Sequence, residues 1–269
     1  MPAIENQRAI RECSKLPFCY LCGKTWAESG LKPTRDHVPP KAIFATEDRA
    51  VTPLILPVHC KCNIDQSIGD EIIGQLVSVL RAKYPDPQNI KLKVGVVPGA
   101  QGDDPLAVLH GPDLRPLVWR IIKGFHAALY REPLDVGGKA NVHMPFPQGQ
   151  RLPNGRLRFD EILPQQRAIA EEIKKNRLAR RLDRVSCFND KCIYECVWVR
   201  GDAGEPICMF ALRLYDWEKL ADPRFRQRGC VGIYSPNSGQ PATATAGTSL
   251  MLPTGGNPLD PFHDGQSNG

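Results

Sequence analysis

Apolar positions recur at helical spacing in two stretches of the chain, and a third stretch also has helical character. Ile68, Ile72, Leu76, Val79 and Leu80 predict an amphipathic helix reaching about residue 82. Ser67 with Asp70 resembles a capping box at its start, and Tyr84-Pro85-Asp86-Pro87 stops it. Leu117, Val118, Ile121, Ile122, Phe125 and Leu129 predict a second helix with Pro116 near its first turn. Residues 164–184 predict a third, unusually basic one, carrying Lys174, Lys175, Arg177, Arg180, Arg181 and Arg184. Strand-like runs at 192–200 and 206–215, joined by Gly-Asp-Ala-Gly-Glu, predict a β-hairpin with a longer loop. Residues 90–97 predict a short strand, followed by a Gly/Asp/Pro loop at 98–105. Residues 1–15 read as a polar lead-in and 132–160 as irregular. From about Ser235 the chain turns to Pro, Gly, Ser, Thr, Ala and Asn, with no Lys or Arg, and disorder is expected to residue 269. The expected organisation is therefore α+β in three parts: a module at 1–83, a mixed helix and β-hairpin region at 84–234, and a disordered tail at 235–269.

Composition sharpens this picture by exclusion. The 269 residues are 42% hydrophobic and 24% charged, the balance of a globular protein, so disorder does not describe the whole chain. No apolar run approaches the ~18 residues of a membrane span, and the polar N-terminus lacks the apolar core of a secretory signal. A cytoplasmic location with reduced thiols is the expectation. The formal charge of +6 is compatible with a polyanionic partner.

Ten cysteines then need an explanation. Cys187, Cys192, Cys196, Cys208 and Cys230 contain no C-x2-C pair, and Cys192 and Cys196 sit in an apolar run, so they read as small core hydrophobes. The N-terminal set differs. Cys19 and Cys22 form a C-x2-C knuckle followed by Gly23, and a tight turn there aims both sulfurs at one ion. Cys62 is the natural third ligand of a tetrahedral Zn²⁺. The fourth is either His59, which repeats the x2 spacing and is preferred, or Cys60, which gives the tighter C-x-C. Between the knuckles lie Asp36-His37 and then Val38-Pro39-Pro40; Asn63 follows the last cysteine directly. The order is knuckle, strand, Asp-His, loop, strand, knuckle, Asn, helix. A unit of roughly 45 residues has little core of its own, so metal ligation would supply folding free energy.

Residues 17–75 resemble the HNH endonuclease family, through C-x2-C-G, D-H-x-x-P and C-N-x3-S. The resemblance implies a zinc-stapled ββα-metal, treble-clef-like module. It implies that His37 is the general base, that Asp36 and Asn63 hold a catalytic Mg²⁺ (or Mn²⁺), and that Cys19, Cys22 and Cys62 are structural zinc ligands, with His59 in the place of the second knuckle's first cysteine. It also implies DNA as the partner. The middle Asn usual before the family's second strand is absent: the chain reads Val51-Thr52-Pro53.

The chemistry can be argued independently. Phosphodiester hydrolysis needs an activated water, which one near-neutral imidazole can provide. It also needs neutralisation of the phosphate and of the leaving oxyanion, which a hard cation on a carboxylate and a carboxamide oxygen can provide. Arg35 and Lys41 flank the site and can contact phosphates. Asp70 and Glu71 read as helix charges, and His110, His126 and His143 as structural or exposed. The expected activity is metal-dependent hydrolysis of DNA; the alternative, motivated by the missing Asn, is a zinc-stapled nucleic-acid-binding module without catalysis. The basic helix can track a nucleic-acid backbone or be a solvated face, since Glu171, Glu172 and Asp183 interleave its positive charges.

Overall fold

In the computed structural model, residues 2–64, 67–80, 93–97, 106–110, 114–135, 137–143, 149–151, 157–159, 164–214, 229–244 and 246–249 are described. The N-terminal part holds β1 (Ala3–Ile4), α1 (Gln7–Glu12), α2 (Trp26–Ser29), β2 (Thr34–His37), α3 (Thr46–Arg49), β3 (Ile55–Val58), α4 (Cys60–Ile64) and α5 (Ser67–Leu80). Next come β4 (Lys93–Val97), β5 (Leu106–His110), α6 (Arg115–Tyr130), β6 (Lys139–His143), β7 (Gly149–Arg151), β8 (Leu157–Phe159) and α7 (Pro164–Leu178). The chain continues through β9 (Asp183–Cys187), β10 (Cys192–Arg200), β11 (Pro206–Leu214), β12 (Cys230–Ser235) and β13 (Ala246–Ser249). The mixed α+β class is as expected. Among the described residues no helix is long and apolar enough to cross a membrane.

The main sheet runs β1-β9-β10-β11-β12-β6. Strand β9 covers β10 from Cys192 to Cys196, and β13 takes over the same edge at Trp198 and Arg200. Side chains alternate between faces as the two-residue strand period demands. Cys192, Tyr194, Cys196 and Trp198 of β10, with Cys208, Phe210 and Leu212 of β11, join the core that α6 and the N-terminal elements share. Val197, Val199, Ile207, Met209, Val231 and Ile233 face the other way, onto Ile169 and Ile173 of α7. The sheet thus separates α7 from α6 and the N-terminal residues of the first cluster.

Several expectations need correction. Residues 1–15 are not a mere lead-in: β1 pairs in parallel with β9, and Ile10, Cys13 and Leu16 are buried. Residues 132–160 contain β6, β7 and β8: β6 is a short alternating segment that buries Ala140 and Val142 against β12, and β7 and β8 pair with each other. The third helix ends at Leu178, and Asp183 to Cys187 become β9. Part of the expected tail is structured: Ala246–Ser249 form β13, whose pairing to β10 stands in for the apolar burial that its composition lacks. The boundary at residue 83 does not separate two cores: Tyr20, Val38, Phe44 and Leu56 lie in one cluster with Phe125, Tyr194 and Phe210. The expected helix stop at 84–87, the loop at 98–105 and the tail from 250 lie outside the described residues.

Candidate metal centre and the buried network beside it

The first knuckle is a tight turn closed by backbone hydrogen bonds, from Gly23 N to Cys19 O at 2.9 Å and from Cys19 N to Lys24 O at 3.0 Å. Gly23 has φ +78°, a left-handed conformation that glycine adopts without strain. After the turn, Thr25 and Glu28 form a capping box that starts α2. The second knuckle leaves β3 and enters α4, where Asn63 N donates to His59 O at 3.0 Å. That first helical turn brings His59 and Cys62 to the same side.

The ligand atoms of Cys19, Cys22, His59 and Cys62 lie within 4.8 Å of one another. Cys22 Sγ is 3.3 Å from His59 Nδ1, and His59 N donates to Cys19 Sγ at 3.4 Å. Zn–S and Zn–N bonds of about 2.3 and 2.0 Å make a tetrahedron with edges of roughly 3.3–3.8 Å, which fits within that cluster. The set can therefore hold a structural metal such as zinc. His59 is buried while Cys60 is exposed, and the fourth member of the cluster is the histidine. Burial, then the neighbouring Cys19 and Cys22, push the Cys62 thiol up to about 12, so a metal entering here must displace protons. Lys123 of α6 donates from Nζ to Leu21 O at 3.5 Å, and the thiols offset part of the fall that burial imposes on its ammonium.

Strand β2 pairs antiparallel with β3, setting Asp36 opposite Leu56 and His37 opposite Ile55. Asp36 points inward, only 6% exposed. Its Oδ2 accepts from the Tyr20 hydroxyl and from Arg120 Nη2, the latter at 2.6 Å. The same Nη2 is 3.4 Å from Asn63 Oδ1. Arg120 Nε reaches the Tyr20 oxygen at 3.2 Å, and Nη1 bonds to Asp70. Arg120 is 3% exposed. Burial of its charge is outweighed by Tyr20, Asp36 and Asp70, which together hold its pKa above the ordinary arginine value. Burial raises Asp70 to about 6 against the pull of Arg120, and burial with Asp36 raises the Tyr20 phenol.

Asp36 and Asn63 converge, but on a guanidinium, and among the described residues no hydrogen bond joins His37 to them. Their oxygens suit a hard cation chemically, being a carboxylate and a carboxamide. His37 is half-buried on the opposite side of the strand. Burial and the ammonium of Lys41 lower its pKa, with Asp36 opposing, so the imidazole is neutral at pH 7. Arg35 and Lys41 are exposed.

Three participants were not singled out from the sequence: Tyr20, Arg120 and Lys123. Asp70, expected to be a helix charge, is an ion-pair partner instead. A signal for Arg120 existed, since an arginine interrupts the apolar face of α6 between Leu117, Ile121 and Gly124. The basic helix α7 lies across the sheet from this site. Arg177 pairs with buried Glu195 at 2.5 Å, and Lys174 and Lys175 pair with Glu171 and Glu172. His126 is buried among Tyr130, Trp198 and Tyr234. Among curated proteins, solved structures and protein-family models, none matches this chain.

Proposed function

We propose that residues 17–75 form an HNH-type ββα-metal module and that the chain is an endonuclease hydrolysing DNA phosphodiester bonds. The observation that carries this reading is spatial. A four-ligand cluster fit for zinc stands beside a carboxylate and a carboxamide that gather at one positive group, 2.6 and 3.4 Å from the same nitrogen. A divalent cation, Mg²⁺ or Mn²⁺, would be held by Asp36 and Asn63 and would supply charge neutralisation on the phosphate and the leaving oxygen. The chain itself supplies the rest. His37, whose lowered pKa favours the neutral imidazole, would have to turn from the other side of β2 toward that ion to accept a proton from the attacking water. Lys41 disfavours its protonated form. Exposed Arg35 and Lys41 hold the phosphate backbone, and the zinc keeps the hairpin and α4 in register.

Arg120 favours a second reading, a nucleic-acid-binding module without catalysis, because its guanidinium already neutralises Asp36. Nicking of supercoiled plasmid in Mg²⁺ and Mn²⁺, by wild type and His37→Ala with bound zinc measured in both, decides between them. Nicking by wild type that is lost in His37→Ala at equal zinc supports the endonuclease. Salt-sensitive DNA binding without nicking in either ion overturns it in favour of the second reading.

A further inference from the structure

We propose that Arg120 is a built-in competitor for the catalytic cation: its guanidinium occupies the Asp36–Asn63 position, and a divalent ion enters only as the arginine leaves. The proposal rests on the endonuclease reading for its meaning, but its test reads ion binding and not cleavage.

Arg120 comes from α6, far along the chain from every group it touches. Its three nitrogens engage Tyr20, Asp70, Asp36 and Asn63, which stand on the first knuckle, α5, β2 and α4. An arginine that merely oriented Asp36 would leave the carboxamide free. Here one nitrogen lies against both oxygens that a metal would need. Charge points the same way. A guanidinium bonded to two carboxyl groups cancels half of their negative charge and so weakens the pull on a second cation. The apparent affinity of a ligand falls in proportion to the fraction of time its site is open. Four hydrogen-bond contacts, two buried and two part-buried, keep that fraction small. Asp70 has a defined part in this: it is the carboxyl group that holds the arginine by its other nitrogen and can retain it when Asp36 turns to a metal.

Free Mn²⁺, followed by its electron paramagnetic resonance signal, is titrated with the full-length, zinc-loaded protein. The variants are Arg120→Gln, Arg120→Gln with Asp70→Asn, and Arg120→Lys. The double variant removes one positive and one negative charge, so the net charge of the cluster is unchanged while the Asp36 carboxylate is left open to the ion. Zinc content and a cooperative melt qualify each protein. We expect weak binding by wild type, binding at least tenfold tighter in the double variant, and loss of that gain when Asp36→Asn is added. Arg120→Lys, which keeps the charge, stays near wild type. Mn²⁺ binding by wild type as tight as by the double variant overturns the proposal, as does weaker binding by a folded Arg120→Gln protein, which would make Arg120 a positioning residue. If Mn²⁺ binding follows the expected order while plasmid stays intact, the gate stands and the endonuclease reading falls.

Discussion

Gly124→Ala tests how closely α6 is seated against the strand pair that carries Asp36 and His37. A Cβ built at Gly124 would lie 2.6 Å from Val38 Cγ1, 3.2 Å from Val38 Cγ2 and 3.1 Å from Leu56 Cδ1. Val38 and Leu56 are 1% and 0% exposed, and a β-branched valine has few alternative rotamers. Overpacking of this kind costs about 1–3 kcal/mol. Alanine gains about 1 kcal/mol over glycine in a helix. The net expectation is a loss of up to roughly 2 kcal/mol, or as much as about 8 °C in Tm for a chain of this size. Gly69→Ala in α5 is the control, since its Cβ would meet nothing within 4 Å, and it should be neutral or stabilising. Both variants are melted with zinc saturated, by circular dichroism. A Gly124→Ala protein stabilised by the full helix-propensity gain of about 1 kcal/mol, with no packing cost set against it, would refute the close seating of α6 on β2 and β3. Because Val38 adjoins His37, nicking by Gly124→Ala should also fall at temperatures where the protein remains folded.

Zinc content should drop in His59→Ala and stay stoichiometric in Cys60→Ala, and the reverse result would reassign the fourth ligand. On the endonuclease reading the neutral form of His37 would be the active one, and the acid limb of kcat/KM should inflect below 6.5, the ordinary histidine value, because burial and Lys41 lower its pKa. Lys41→Ala should move that inflection upward towards 6.5; an unmoved limb means another group controls it. Thiol labelling of the native zinc-loaded protein should modify Cys60 first, while Cys187, Cys192, Cys196, Cys208 and Cys230 wait for unfolding, since all five are buried. Fast labelling of any of the five would place that cysteine outside the sheet core.

The four-ligand cluster was legible because knuckle spacing is a local property: a turn and a first helical turn each fix two ligands, and only their meeting is long-range. Helices α5 and α6 and the hairpin β10–β11 were legible from apolar periodicity, and the assignment of the late cysteines to the core followed from their apolar neighbours. What escaped was whatever depends on a partner distant in sequence. Strand β1 is two residues long and exists because β9 is beside it. Strands β6 and β13 owe their form to β12 and β10. Arg120 looked like one charge on an amphipathic helix. Its role appears only when β2, α4 and α5 supply a carboxylate, a carboxamide and a second carboxyl group around it.

Helix α6 joins these levels. On one turn of it, Arg120 bonds to Asp36, Lys123 reaches the first knuckle, and Gly124 admits Val38 and Leu56; on its other side Phe125 meets Tyr194 of the sheet. The metal cluster therefore staples a unit whose core is finished by residues far along the chain. Tyr20, Phe44 and Leu56, buried at 0–1% exposure, would stand largely in water without α6 and the sheet. At about 1.5–3 kcal/mol per buried large side chain, these three forgo roughly 4–9 kcal/mol, comparable with the whole stability of a small domain. Asp36 and Asp70 would also lose the guanidinium that neutralises them. A fragment of residues 1–83 should then bind Zn²⁺ through its cysteines yet show no cooperative melt and poor amide-exchange protection in β2 and β3. Co-expression with residues 84–269 should restore both. A zinc-loaded 1–83 fragment that unfolds cooperatively, with protected β2 amides, would show that the metal alone completes the module and that α6 merely rests on it.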